Sequence, residues 1–171
     1  HRIWRFVDSQ SGELKTAERI QGSEDFNRAE ISLRRKTHQT LKKVTYDFER
    51  VHLNTAIAAV MELVNELYKL CETRPSRAYT WKVIREGIET VIVLLHPMAP
   101  HVTEELWERI GNNELLSETK WPDFDDAIAA ETEITVVVQV NGKNRSKVLT
   151  LPDQSDDAFS EVALNDKKIK S

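Results

Sequence analysis

The chain has 171 residues, 40% of them apolar and 30% charged, with 24 Lys/Arg against 28 Asp/Glu for a formal net charge of −4. A chain of this length buries roughly 70% of the surface its unfolded form exposes, so a true hydrophobic core is possible. No apolar run approaches the ~20 residues of a membrane span, which sets aside transmembrane and fibrous classes. The single cysteine, Cys71, excludes an internal disulfide framework and every multi-cysteine zinc site, and suits a reducing compartment.

With His1 at its start and no charged-then-apolar leader, the chain reads as a piece of a longer protein. Its charge is unevenly spread: residues 1–50 carry 11 cations against 8 anions, whereas residues 101–135 carry 2 against 10. Electrostatic attraction is felt within about 8 Å at physiological salt, so basic patches near either end can face a polyanion although the whole is acidic.

In chain order, Ile3, Trp4, Phe6 and Val7 have helical spacing and predict the last turns of a first helix, ended by Ser9–Gly12. Leu33, Thr37, Leu41, Val44 and Phe48 recur at intervals of 4, 4, 3 and 4 and predict a second helix with one buried face. Asn54 is placed to cap a third, whose stripe is Ile57, Val60, Met61, Val64, Leu67, Tyr68 and Cys71. A fourth helix over about 77–95 carries Trp81, Ile84, Ile88, Val91, Ile92 and Leu95 and is stopped by Pro97. Pro100 opens a fifth, with Glu104 and Glu105 in its first turn, Val102, Leu106 and Ile110 facing inward, and Gly111 as its left-handed end.

Residues 112–133 form an acidic, turn-rich stretch that reads as a linker. Beyond it the period becomes two: Ile134, Val136 and Val138 alternate with Thr135, Val137 and Gln139, and Lys143–Leu151 returns as a second strand. A three-residue loop with Gly142 in a bulge would pair Gln139 with Lys143, Val137 with Arg145 and Thr135 with Lys147. It would thereby gather the cations on the face opposite the valines. A short helix from Ser155 to about Leu164 follows. The fold class is therefore mainly α: an antiparallel helical bundle over 1–130, then over 131–171 the start of a small, truncated α+β domain with a β-hairpin.

Phosphate-cradling glycine loops and nucleophile elbows are absent from the sequence. His96, His101 and Glu105 would form a metal site only if their side chains converged, and H-E-x-x-H does not occur. Cys71 reads as a small core hydrophobe and the four tryptophans as packing anchors, with Trp121 before Pro122 the one placed to be exposed. On a helix advancing about 100° per residue, Arg34, Arg35, His38 and Lys42 share one flank of the second helix, while Lys36 and Lys43 lie on the other beside Asp47. That flank, together with Lys143, Arg145 and Lys147 of the hairpin, is the candidate set for phosphate contact. A solvated polar face is the plainer alternative.

The stretch Leu94-Leu95-His96-Pro97-Met98-Ala99-Pro100-His101-Val102-Thr103-Glu104-Glu105-Leu106-Trp107-Glu108 closely resembles the helix-break-helix of the anticodon-binding bundle in class I aminoacyl-tRNA synthetases of the leucine, isoleucine, valine and methionine group. Leu33–His38, Asn54–Ala59 and above all Val138-Gln139-Val140-Asn141-Gly142-Lys143-Asn144-Arg145 resemble the bacterial-type leucyl-tRNA synthetase family within it. The resemblance implies a parent ligase that attaches leucine to its tRNA with ATP and magnesium. It also implies catalytic and editing domains elsewhere in that chain, a cytoplasmic monomer with no membrane partner, and a bundle that grips the tRNA body without reading the anticodon bases. The H-I-G-H and K-M-S-K-S motifs of the family's catalytic domain do not occur here, so this piece is expected to be non-catalytic and to need no cofactor. A helical protein-interaction module, docking a partner through an exposed apolar groove, is the rival reading.

Overall fold

The computed structural model describes residues 1–22 and 24–130, with residues 134–140 and 143–150 described as strands. The chain divides into two units, His1–Ala129 and Ala130–Ser171. The first is mainly helical: α1 (Arg2–Thr16), α2 (Arg28–Glu49), α3 (Leu53–Glu72), α4 (Ala78–Leu95), α5 (Pro100–Arg109), a 3₁₀ turn (Leu116–Glu118) and a short α6 (Asp126–Ala129). No helix among the described residues is long and apolar enough to cross a membrane.

Helix α1 does not end at Ser9–Gly12 as its composition predicts; it runs on to Thr16. Leu14 lies two turns after Val7 on the same face and both are fully buried, so burial outweighs the glycine's cost of about 1 kcal/mol. Ser9 and Ser11 meanwhile donate their hydroxyls back to Phe6 O and Asp8 O inside the helix. Helix α2 starts on a capping box: Asn27 Oδ1 accepts from the Ala29 and Glu30 amides at 2.9 and 3.0 Å, and Glu30 Oε2 accepts from Asn27 N at 2.7 Å. Glu30 is fully buried, and its other oxygen accepts from Thr80 Oγ1 of α4. One carboxylate therefore starts one helix and fastens it to another.

Asn54 does not cap α3; it lies inside a helix that opens at Leu53. The corner before it is built instead on Val51, which takes a left-handed φ of 59° while His52 N–H reaches back to Asp47 O at 2.7 Å. The inward stripe of α3 is Ala56, Ala59, Val60, Leu63, Val64 and Leu67, and Ile57, predicted to face inward, is exposed. Likewise Val102 of α5 is exposed and Thr103 takes the buried position between Ala99 and Leu106. Gly111 ends that helix with φ 94°, as expected.

Helix α4 is the axis of the bundle, buried almost all round from Val83 to Leu94. At Gly87 a Cβ would stand 2.9 Å from Leu67 Cδ2 of α3 and 3.4 Å from Thr37 Oγ1 of α2, so three helices close on this one position. We expect Gly87→Val to lower stability by roughly 1–3 kcal/mol, read as a drop in the denaturant midpoint at constant slope, because a fully packed neighbour has to move.

In the second unit, β1 (Ile134–Val140) and β2 (Lys143–Thr150) form an antiparallel pair. Its register corrects the sequence reading: Val140 pairs with Lys143, Gln139 with Asn144, and, after an irregularity between Val138 and Gln139, Val137 pairs with Lys147 and Thr135 with Leu149. The extra residue is Arg145 in β2. The bulge inside the strand restores the pairing of Val136 with Val148 that a straight ladder would have lost. Asn141, Gly142 and the helix predicted from Ser155 lie outside the described residues.

Candidate nucleic-acid interface

The basic flank of α2 is not the open face its spacing suggests. Arg34 donates from Nε and Nη2 to both oxygens of Glu86 on α4, at 3.0 and 3.2 Å, and its guanidinium lies 5.0 Å from the Phe26 ring centroid. His38 is clamped from two sides: its Nε2 is 3.5 Å from Glu86 Oε1, and its Nδ1 accepts the Asp125 amide at 3.0 Å. With Nδ1 turned to the Asp125 amide, Nε2 is the ring nitrogen that faces Glu86. Burial pushes the Glu86 carboxyl up, but hydrogen bonds from His38 and Arg34 outweigh it and hold the group below its ordinary range. Arg35 is half-buried in the same run.

Lys42 donates to Asp126 Oδ1 at 2.7 Å and lies 5.6 Å from the Phe124 ring centroid. The Asp126 hydrogen bond raises its pKa. Gln39 Nε2 donates to Ala129 O at 2.9 Å, and Trp121 Nε1 donates to Thr45 Oγ1 at 2.9 Å with its ring edge-on to Phe48. The acidic stretch taken for a linker is thus, over residues 121–129, a strap laid along α2. It was missed because its contacts are polar and distant in sequence. The hint in the sequence is charge alone: a basic run over residues 34–43 and an acidic one over residues 123–126.

Across the helix, Lys43 pairs with Asp47 at 2.8 Å, as expected, and Lys36 with Glu62 at 2.7 Å. Among the hairpin cations, Lys143 stands opposite Val140, Lys147 opposite Val137, and Arg145 at the irregularity, so they do not occupy the register positions predicted for them.

A second polar hub lies under the end of α1. Arg85 of α4, only 7% exposed, donates to Leu14 O at 2.7 Å, Ala17 O at 3.0 Å, Asn112 Oδ1 at 3.0 Å and Glu89 Oε1 at 2.9 Å. Arg19 joins it through Glu89 and Asn112. No periodicity marks Arg85, which sits in the apolar run of α4. Glu104 was placed by dipole reasoning alone, yet it accepts the Leu116 and Ser117 amides at 2.9 and 3.0 Å and thereby folds the chain after α5 back on the helix.

His96 Nδ1 is 2.9 Å from Thr103 Oγ1, His101 is exposed and Glu105 pairs with Arg109. Among the described residues no group of three His, Cys, Asp or Glu is placed to hold a metal ion. Burial, with Glu13 nearby, pushes the Cys71 thiol up to about 12, which makes it a poor nucleophile. Between α2, α4 and the strap runs a cleft of about 370 Å³ lined by Thr37, His38, Glu86, Glu89, Lys120 and Pro122 among others.

The family described as anticodon-binding domain of tRNA ligase matches residues 31–160. The leucine–tRNA ligase of Syntrophus aciditrophicus is 44% identical over 170 residues, covering 98% of this chain and 20% of that protein. The leucine–tRNA ligase of Syntrophobacter fumaroxidans is 39% identical over 99% of this chain and 20% of its own length. The chain thus spans about a fifth of the curated relatives it matches. Among solved structures, the ternary complex of Agrobacterium radiobacter K84 agnB2 LeuRS with tRNA and LeuAMS superposes with a TM-score of 0.80 at 27% identity, over 99% of this chain and 22% of that one. The family match spans most of this chain and includes all but the first turn of α2 and the whole of α3, α4 and α5, so the chain belongs to the anticodon-binding domain family of tRNA ligases.

Proposed function

We propose that the chain is the tRNA-binding and positioning part of a leucine–tRNA ligase, which joins leucine to its tRNA with ATP and magnesium on catalytic and editing domains carried elsewhere in the same polypeptide. The observation that carries this is the near-complete coverage of the chain by leucine–tRNA ligases at 39–44% identity. In this reading residues 1–130 are the anticodon-binding bundle and 131–171 begin a C-terminal α+β domain. The piece itself holds no cofactor and no catalytic residue, and the parent works as a cytoplasmic monomer. Its contribution to catalysis is orientation: binding energy spent on the tRNA body places the acceptor end for reaction.

The proposed contacts are Arg35 and Lys42, with Arg34 and His38 behind them, and Lys143, Arg145 and Lys147 of the hairpin. Substituting Arg35 and Lys42 by alanine in the full ligase is expected to raise KM for tRNA. In the isolated chain, each lost phosphate contact should lower the slope of log K against log salt by roughly 0.7 to 0.9. An unchanged slope for the double variant and for a variant lacking the three hairpin cations would return both groups to the role of solvated surface. One observation favours the rival reading of a protein-interaction module: Val51, 76% exposed, leads into exposed Leu53 and Ile57 at the α2–α3 corner. Salt-insensitive binding of a protein partner, lost on Ile57→Asp, would support that reading instead.

A further inference from the structure

Residues 121–129 meet α2 at His38, Gln39, Lys42 and Thr45, positions that follow one face of the helix turn by turn. No residue from 121 to 130 is fully buried, α6 has four residues, and the Lys42–Asp126 pair is open to water, its side chains 41% and 70% exposed. Such a segment belongs to the least stable part of a fold. Its apolar anchors are two half-exposed ring contacts, Trp121 on Phe48 and Phe124 on Tyr46; the rest is solvent-exposed hydrogen bonds and a helix too short to persist alone. What it presents to Lys42 is a charged oxygen acceptor, and a lysine, as a point charge with rotatable donors, takes a carboxylate or a phosphate oxygen in the same place.

We propose that this strap is an intramolecular stand-in for RNA phosphate: it seats a carboxylate on Lys42 and leaves when a tRNA backbone takes its place. The proposal rests on the tRNA-binding function above. Its effect is selectivity. A lone phosphate exchanges one anion for another at Lys42 and gains nothing, whereas a backbone that meets Lys42, Arg35 and further cations together gains enough to displace the strap. Because Lys42 is already neutralised by Asp126, a phosphate bound there releases fewer counterions than its charge would suggest.

The test uses the 171-residue chain and a leucine tRNA transcript. Asp126→Asn is expected to tighten tRNA binding about two- to fivefold at low salt, the scale on which exposed ion pairs act. It should also steepen the salt slope, by a fraction of the roughly 0.7 to 0.9 that one full phosphate contact is worth. Asp123→Asn, which removes the same charge without a partner on Lys42, should do neither, and the gain should vanish in Lys42→Ala/Asp126→Asn. Hydrogen exchange supplies a readout independent of affinity: the Asp125 amide, now donated to His38, should exchange faster when tRNA is bound. An unchanged slope in Asp126→Asn, a gain that survives loss of Lys42, or slowed exchange across 121–129 overturns the strap proposal while leaving tRNA binding intact. Absence of tRNA binding by every variant overturns both.

Discussion

Arg85→Met is expected to cost about 3–5 kcal/mol, the usual penalty for removing one member of a buried charged network, and to lower the melting temperature by roughly 10–15 °C. The guanidinium gathers two carbonyls from the end of α1, the Asn112 amide oxygen beyond α5 and the Glu89 carboxylate, so one side chain closes the C-terminal end of α1 against α4. Methionine fills the volume but donates nothing. Leu14 O and Ala17 O then lose this donor, and Glu89 and Asn112 Oδ1 retain only Arg19. Arg85→Lys keeps the charge but cannot fork to several acceptors at once, so it should fall between the two. Thermal melts of the three proteins check this; a loss in Arg85→Met no larger than that of an exposed control such as Arg50→Met would show that the hub is dispensable.

The second large effect is at Glu86, where acid should act through one carboxylate. Its pKa is depressed in the folded chain below the ordinary 4.5. The stability it contributes is therefore full above that ordinary value and is lost as pH falls through the lower, folded one. Glu86→Gln should cost about 1–3 kcal/mol near neutral pH. The amide offers a single acceptor where Arg34 and His38 now meet two oxygens, and it turns an N–H toward one of those donors. The same variant should flatten the acid limb of the stability profile between about pH 5 and 3, because the group whose protonation the native chain feels is gone. Melting both proteins across that range separates Glu86 from the other carboxylates, which titrate in each. Parallel acid limbs would show that Glu86 does not set the acid sensitivity.

Helices α2 and α3 are legible because each buries one stripe, and the intervals between Leu33, Thr37, Leu41 and Val44 match the buried positions of α2. Reading failed where polar groups decide. The end of α1 was set two turns too early by Ser9–Gly12, residues that favour turns in isolation but whose hydroxyls bond within the helix once Leu14 is buried. The hairpin register is not legible from turn chemistry or face pattern alone, because a bulge at Arg145 shifts the pairing within the strand. The basic flank of α2 was found as a set of residues but not as a surface: its partners Glu86, Asp125 and Asp126 lie 48 to 87 residues away, beyond anything a local period encodes. Arg85 left no trace at all, since a buried arginine in an apolar run has no pattern of its own.

The strap closes a loop of 87 residues between His38 and Asp125, long compared with the turn-to-turn contacts that hold the helices. Contacts this remote reward the chain only after the intervening bundle has ordered, so the segment is expected to dock last in folding and to detach first under mild perturbation. Its departure then requires no melting of α2 to α5 and belongs to the nanosecond-to-microsecond regime of loop motion rather than to global unfolding. A polyanion arriving at this flank would meet a cover that clears within the lifetime of an encounter, so the on-rate would stay governed by diffusion and charge while the cover acts on equilibrium alone.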